Sequence, residues 1–302
     1  MRLALYLTST VREGTLRDVV ELARIAEAAG FDDVCIGDHV VMGGDPDSRP
    51  PWARGPRFPH RPQERFPEPL TMLAAIATAT SRVRLVTCIL IAPLRAPVLL
   101  AKTAATLHEL SEGRLVLGVS VSWMAEEYAA LGVPFEERGR RLDDLVGACR
   151  ALWSRSPASF TSPTVSFQDV YCEPRPAGAD AIPIWFGGQF TPRLVRRVAT
   201  WGQGFLPHLD ASTTWESVGM QTAQLQEAMR ARGRDPATLE VGARFPAFGK
   251  PFAQALEEDL PAVRAAGVTQ LYVPLLGPVT LAEARRAVEE IARRFEPYRA
   301  GT

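Results

Sequence analysis

The sequence predicts an α/β fold, a (β/α)8 TIM barrel with an insertion loop after the second strand and a hairpin inserted before the fifth. Short apolar, β-branched runs alternate with longer segments of helical period, which is the pattern of a parallel sheet. Those runs are apolar throughout, as expected of strands covered on both faces. Eight such units in 302 residues match the size of one barrel, so a single domain over 1–302 is expected. A doubly wound open sheet is the alternative. It usually carries GxGxxG after its first strand, and Leu7-Thr8-Ser9-Thr10 offers no glycine.

Residues 3–7 form the first strand. Thr15 opens a helix with Leu16, Val19, Val20, Ala23 and Ala26 on one face, and Gly30 stops it. The second strand is 34–36, and a helix near 70–80 leads to the third strand at 83–87. Residues 97–110 are helical and close at Ser111-Glu112-Gly113 before the fourth strand, 115–119. A helix over 137–153 follows. The fifth strand is 182–186 with a helix at 192–201, and the sixth is 204–206 with a helix at 213–232. The seventh strand is 239–245 with a helix at 253–266, and the eighth is 270–273 with a last helix at 281–295. Two stretches break this rhythm. Residues 42–68, rich in Pro, Gly and Arg, are long enough to form a lid over the C-terminal face. Residues 157–176 hold two β-like runs, 159–161 and 164–167, among prolines, and read as the inserted hairpin.

Composition narrows the function. Basic and acidic residues number 34 each, so the formal charge is zero and a nucleic-acid footprint is not expected. No apolar run reaches the ~18 residues of a membrane helix. The N-terminal run lacks a signal-peptide cleavage site, which makes the cytoplasm the expected location. Cys35, Cys88, Cys149 and Cys172 form no CxxC, so neither a zinc ribbon nor a disulfide framework is expected. His39, His60, His108 and His208 are too scattered for a metal site. Only Lys102 and Lys250 are lysine, which excludes mechanisms needing several.

Barrel active sites lie at the C-terminal ends of strands. After the second strand, Gly37-Asp38-His39 puts a polar pair at the mouth. The imidazole can donate to a ligand or move a proton, or it can simply cap its loop. After the third strand, Cys88 and Ile89 follow Thr87. Cys88 reads as a reactive thiol or, without a basic sequence neighbour, as a small buried residue. After the fourth strand come Ser120, Ser122, Trp123, Glu126 and Glu127. Hydroxyls supply donors and Trp123 a stacking face, though the segment also suits plain packing. Both glutamates suit the first turn of a helix by charge. After the fifth strand, Gly187-Gly188-Gln189 precedes Thr191-Pro192-Arg193. Thr191 fits an N-cap and Pro192 the first helical position, and such a turn exposes backbone N–H groups to an anion.

The segment Gly113-Arg114-Leu115-Val116-Leu117-Gly118-Val119-Ser120-Val121-Ser122-Trp123-Met124-Ala125-Glu126-Glu127-Tyr128, continuing to Arg141, resembles the hallmark of the bacterial luciferase-like monooxygenase superfamily. Within it, the sequence most resembles the branch that uses the 5-deazaflavin coenzyme F420. Gly37-Asp38-His39-Val40, residues 94–102 and Ile182-Pro183-Ile184-Trp185-Phe186-Gly187-Gly188 add to a likeness over nearly the whole chain. The resemblance implies the same barrel and usually a homodimer. It implies that Asp38 and His39 lie beside the tricyclic ring, and that Cys88-Ile89 is a non-prolyl cis peptide in a bulge behind it. It also implies that Gly187-Gly188-Gln189 approaches the phosphate-bearing tail. Ser120, Trp123 and Glu126 complete the expected cofactor site, with no metal.

Two departures stand out. Relatives in this branch usually have Gly where Ser122 stands, and a hydroxymethyl there either narrows the pocket or supplies a hydrogen bond. In the superfamily's sugar-phosphate dehydrogenase a Glu stands in the place of Trp123 and an Asn in that of Glu126. That enzyme also needs lysines, so a sugar-phosphate substrate is disfavoured here. The implied function is hydride transfer between C5 of the deazaflavin and a small organic substrate. His39 would be the acid/base or ring-orienting donor, Trp123 a pocket wall, and the 42–68 loop a closing lid. An FMN-dependent monooxygenase on the same barrel and a non-catalytic cofactor-binding paralogue are the alternatives.

Overall fold

The computed structural model describes residues 1–7, 14–44, 47–50, 63, 65–210, 212–246, 250–275 and 280–299. Its strands are β1 (Arg2–Tyr6), β2 (Asp33–Ile36), β3 (Arg84–Ile91), β4 (Leu115–Ser120), β5 (Ala158–Thr161), β6 (Ser166–Val170), β7 (Ile184–Gly188), β8 (Gly204–Pro207), β9 (Glu240–Arg244) and β10 (Gln270–Pro274). Eight of them close a barrel in the order β1–β10–β9–β8–β7–β4–β3–β2, every neighbour parallel. This is the (β/α)8 barrel that the alternation predicts. Strands β5 and β6 pair antiparallel as the expected hairpin before the fifth barrel strand.

The helices are α1 (Leu16–Ala28), α2 (Pro69–Ala79), α3 (Pro97–Leu110), α4 (Ala125–Ala130), α5 (Arg138–Ser154), α6 (Pro192–Trp201), α7 (Trp215–Arg230), α8 (Phe252–Glu258), α9 (Leu260–Ala265) and α10 (Leu281–Phe295). Side-chain caps set several starts. Thr15, Thr214 and Thr280 form capping boxes at α1, α7 and α10, while Thr191 caps α6 ahead of Pro192. None of the described helices is long and apolar enough to cross a membrane.

Some boundaries differ from the sequence reading. The third strand runs on to Ile91 through a register shift between Thr87 and Leu90. The helix expected over 253–266 breaks at Asp259, because Pro261 cannot donate into a continuous helix. The second hairpin strand starts at Ser166. Thr164 is held instead in a turn by Asp144 of α5, through its N–H at 3.1 Å and its hydroxyl at 2.7 Å. Within 42–68, residues 45–46, 51–62 and 64, and with them the lid expectation and His60, lie outside the described residues.

Alternation along each strand divides two interiors. Leu3, Leu5, Val34, Leu85, Leu115, Val241 and Leu271 face the helices in the larger core. Ala4, Cys35, Val86, Val116, Trp185 and Leu206 fill the lumen, flanked by Tyr6, Cys88, Ile89 and Tyr272. Gly204 makes room for the Trp185 indole, since a Cβ there would lie 2.3 Å from its Cδ1. The lumen floor is ionic. Arg84 bonds Asp33 at 2.6 Å and Glu240 at 2.8 Å, Arg2 bonds Asp33 at 2.8 Å, and the Gln270 amide donates to Asp33 at 2.6 Å. The Arg84 guanidinium also lies 5.4 Å from the Trp185 ring centre.

Asp33 has no exposed side-chain surface, so removing its main partner strands a buried charge. Arg84→Met is expected to lower the unfolding free energy by about 3 kcal/mol in urea titrations. Arg24→Met, which breaks the exposed pair with Glu21, is expected to change it by less than about 0.5 kcal/mol.

Candidate active site

The chain leaves β2 through Gly37-Asp38-His39 at the C-terminal mouth. Gly37 is needed there because a Cβ would lie 2.1 Å from the Tyr6 hydroxyl of β1. Asp38 does not face the mouth as the sequence suggested. Its side chain is 1% exposed and turns toward the end of β3. One oxygen accepts from the Ile91 N–H at 2.8 Å, and both accept from Arg95, which follows β3. Burial pushes the Asp38 carboxyl up, while Arg95 and the Ile91 N–H pull it down, and the neighbouring Glu127 charge adds to the rise. Asp38 therefore clamps two strand ends together instead of lining the opening.

His39 is held from three sides. Its Nδ1 donates to the Glu127 carboxylate at 3.1 Å, and the other Glu127 oxygen accepts from the Val40 N–H at 2.5 Å. Phe66 meets the imidazole edge-on, with ring centres 5.2 Å apart and an 87° interplanar angle. Trp123 meets it at 5.9 Å and 72°. Glu127 lies 88 residues from His39 in sequence and is fully buried. The sequence reading gave Glu127 only a helix-dipole role. A signal was present, because Met124, Glu127 and Tyr128 share the buried side of the turn, and a carboxylate at such a position needs a partner.

The β3 bulge places Cys88 and Ile89 at the strand end next to β2, with the Cys88 carbonyl 3.4 Å from where a Cβ on Gly37 would lie, and the Cys88–Ile89 peptide is cis and non-prolyl, as the resemblance implied. Cys88 packs in the lumen with Cys35, whose thiol is pushed well up by its hydrogen bond with Cys88 and by burial. Ile89 lies against β7, where a Cβ on Gly187 would come within 3.1 Å of its Cγ2. Gly188 has φ +126°, and a Cβ there would lie 3.3 Å from the Ser120 hydroxyl of β4. Bulge, glycine pair and buried Ser120 thus share one side of the mouth, with Gln189 exposed at its rim. Ser122 holds φ +59°, a backbone conformation that suits glycine, and its buried hydroxyl oxygen has no partner among the described residues. Glu126 is half-buried against the second-strand loop. It accepts from the Ser48 N–H at 2.9 Å, and the Ser48 hydroxyl accepts from the Ala125 N–H at 3.0 Å.

The opposite side of the mouth was not anticipated. Arg244 ends β9 and has Tyr272, midway along β10, as its register partner, and Tyr6 lies 6.3 Å from Tyr272 between ring centres. Burial pushes the Tyr272 phenol up, which keeps it protonated. His208 follows β8, and burial pushes its imidazole down.

Against known proteins, the family model described as luciferase-like monooxygenase matches residues 1–301. An uncharacterised protein of Mycobacterium tuberculosis is 32% identical over 188 residues, covering 61% of this chain and 64% of that protein. The chain therefore spans less than two thirds of that relative's length. An F420-dependent glucose-6-phosphate dehydrogenase of Amycolatopsis mediterranei is 28% identical over 218 residues, covering 71% of this chain and 58% of the relative. An FMNH2-dependent dimethylsulfone monooxygenase of Pseudomonas fluorescens is 27% identical over 184 residues, covering 60% and 46%. In fold, the crystal structure of the monooxygenase RslO1 from Streptomyces bottropensis aligns with a TM-score of 0.76 at 20% identity, over 99% of this chain and 100% of that one.

The two adjacent glutamates differ in burial, Glu127 being fully buried and Glu126 half-buried. Glu127→Ala leaves the Val40 N–H and the His39 Nδ1–H without their acceptor and is expected to cost about 3 kcal/mol in urea unfolding. Glu126→Ala, which removes one loop contact, is expected to cost less than about 1 kcal/mol.

Proposed function

We infer that this chain, which belongs to the luciferase-like monooxygenase family, is an oxidoreductase that moves a hydride between C5 of coenzyme F420 and a small organic substrate. The observation that carries the reading is the His39–Glu127 pair after β2, with the Cys88–Ile89 bulge on the neighbouring β3 packed against Gly187.

The residues fit a flat ring with an anionic tail. Gly187 and Gly188 bring backbone close to Ile89 and Ser120 where a side chain would not fit, and the buried Ser122 hydroxyl has no partner among the described residues. The turn ahead of α6 supplies N–H groups for a phosphate. Cys88, Ile89, Ser120, Ser122, Gly187, Gly188 and Gln189 would therefore hold the cofactor, with Trp123 as a wall. When bound, the deazaflavin supplies a two-electron hydride donor or acceptor at C5.

The chain itself supplies orientation and a proton. Because Nδ1 donates to Glu127, the neutral His39 ring carries its lone pair on Nε2, and the charged ring carries its transferable proton there. Phe66 and Trp123 keep water from the ring faces, which strengthens its hydrogen bonds. Asp38 and Arg95 fix the strand ends that present His39 and the bulge. The family resemblance also favours a homodimer, and Val98 and Leu99 of α3, 43% and 64% exposed, offer apolar surface for one. Reduced FMN with oxygen is the second reading, supported by the FMNH2-dependent relative. On that reading the same residues hold an isoalloxazine, and the protein is a monooxygenase.

Fluorescence titration with F420 and separately with FMN is expected to give tighter binding of F420. Preference for FMN would replace the hydride reading with oxygen chemistry. In the same titration Gly188→Val is expected to weaken F420 binding at least about 10-fold, because φ +126° excludes a branched side chain. Single-turnover rates at saturating cofactor test the proton role. His39→Ala is expected to slow them by about 10²-fold or more, and an unchanged rate would remove that role.

A further inference from the structure

The mouth has two unlike sides. On the His39 side, the charged groups are matched: Asp38 by Arg95, and Glu127 by His39 and the Val40 N–H. On the floor, Arg2 and Arg84 are matched by Asp33 and Glu240. Arg244 is the exception. Along β9, Glu240 reaches Arg84 and Gly242 lies against the lumen residues Trp185 and Leu206. Val241 and Ala243 belong to the outer core. Alternation therefore points Arg244 to the lumen side, at the C-terminal mouth. Its side chain is exposed, and it makes no ion pair among the described residues. The connecting segments that follow β9 and β10, residues 245–250 and 274–280, contain neither Asp nor Glu. The carboxylate nearest Arg244 in sequence, Glu240, is committed to Arg84, and Asp210 after β8 lies against His208 at 3.8 Å.

Its neighbours suit an organic acid. Tyr272 is the register partner of Arg244 and stays protonated, so it offers a hydroxyl beside the guanidinium. Tyr6 and Tyr272 give the space below two tilted aromatic faces, 39° apart. A planar guanidinium pairs bidentately with a carboxylate. The β9 end lies two strands round from the glycine turn of β7, and three strands round in the other direction from the β2 end that carries His39. We propose that Arg244 binds the carboxylate of the substrate, so that the substrate class is a small organic acid with a flat, unsaturated body. This deepens the oxidoreductase reading and rests on the mouth being its active site. An acidic cofactor tail shares the same chemistry, and the experiment distinguishes the two.

Benzoate and benzamide have nearly the same shape and differ in charge. Calorimetric titration of the wild-type protein is expected to give benzoate an affinity at least about 10-fold above that of benzamide. Arg244→Met is expected to abolish the difference and Arg244→Lys to keep part of it, with F420 affinity unchanged in both. Equal binding of the two probes, binding of neither, or a preference that survives in Arg244→Met would overturn the proposal. Loss of F420 affinity in Arg244→Met would assign the arginine to the cofactor tail and also overturn it. No turnover is read, so a benzoate preference in a protein that ignores F420 would keep the Arg244 assignment and remove only the cofactor reading.

Discussion

A carboxylate taken out of water at the end of a barrel destabilises the fold by several kcal/mol unless fixed donors replace its hydration. Asp38 and Glu127 are both in that position, and each has its donors. Asp38 binds Arg95 and the Ile91 N–H, and Glu127 binds His39 and the Val40 N–H. The donors come from the ends of β2 and β3, and Glu127 comes from α4, just after β4. Satisfying the two charges therefore fixes three adjacent strand ends relative to one another. The geometry of His39 is a consequence of that requirement, and so is the placement of the β3 bulge beside it. A residue that must hold one orientation for proton transfer is best supported by partners whose own rotamers are locked.

Below these residues the barrel is closed. Trp185 and the Arg84–Asp33–Glu240 network occupy the lumen between the floor and the mouth. A ligand at the C-terminal end meets a packed base, so the mouth is a cup instead of a channel. The two halves divide the work of the same strands. On β1, Arg2 serves the floor and Tyr6 the mouth. On β9, Glu240 serves the floor and Arg244 the mouth. An even residue spacing with period two delivers one polar group to each end.

Legibility in the sequence followed the range of the interaction. Helices 97–110, 192–201 and 281–295 were read to the residue, because Pro97, Pro192 and Thr280 are local signals at their starts. The break at Asp259 was equally local, announced by Pro261, and was overlooked in favour of the apolar period. Bulge and strand extension in β3 could not come from periodicity, since Thr87 and Cys88 look like a strand end. The resemblance, not the residue pattern, supplied the cis peptide. Long-range pairs were invisible. Nothing near Asp38 in sequence announces Arg95, 57 residues on, and spacing cannot join His39 to a glutamate 88 residues away. The direction of Asp38 was misread for that reason: a polar residue after a strand was taken to face the ligand when a distant arginine had claimed it.

The zero formal charge illustrates the same limit from the other side. It argues against a polyanion along the surface, because such binding sums over many exposed cations. It carries no information about a small acid, because one guanidinium can pair with a single carboxylate at short range whatever the net charge of the chain. What matters there is whether each charge already has a partner. Through their partners the His39-side carboxylates are already matched, and the floor arginines are matched by Asp33 and Glu240. Arg244 makes no ion pair among the described residues, although the whole chain is formally neutral. On the proposed reading an anionic ligand group sits on that side, three strands round from the fixed imidazole of His39.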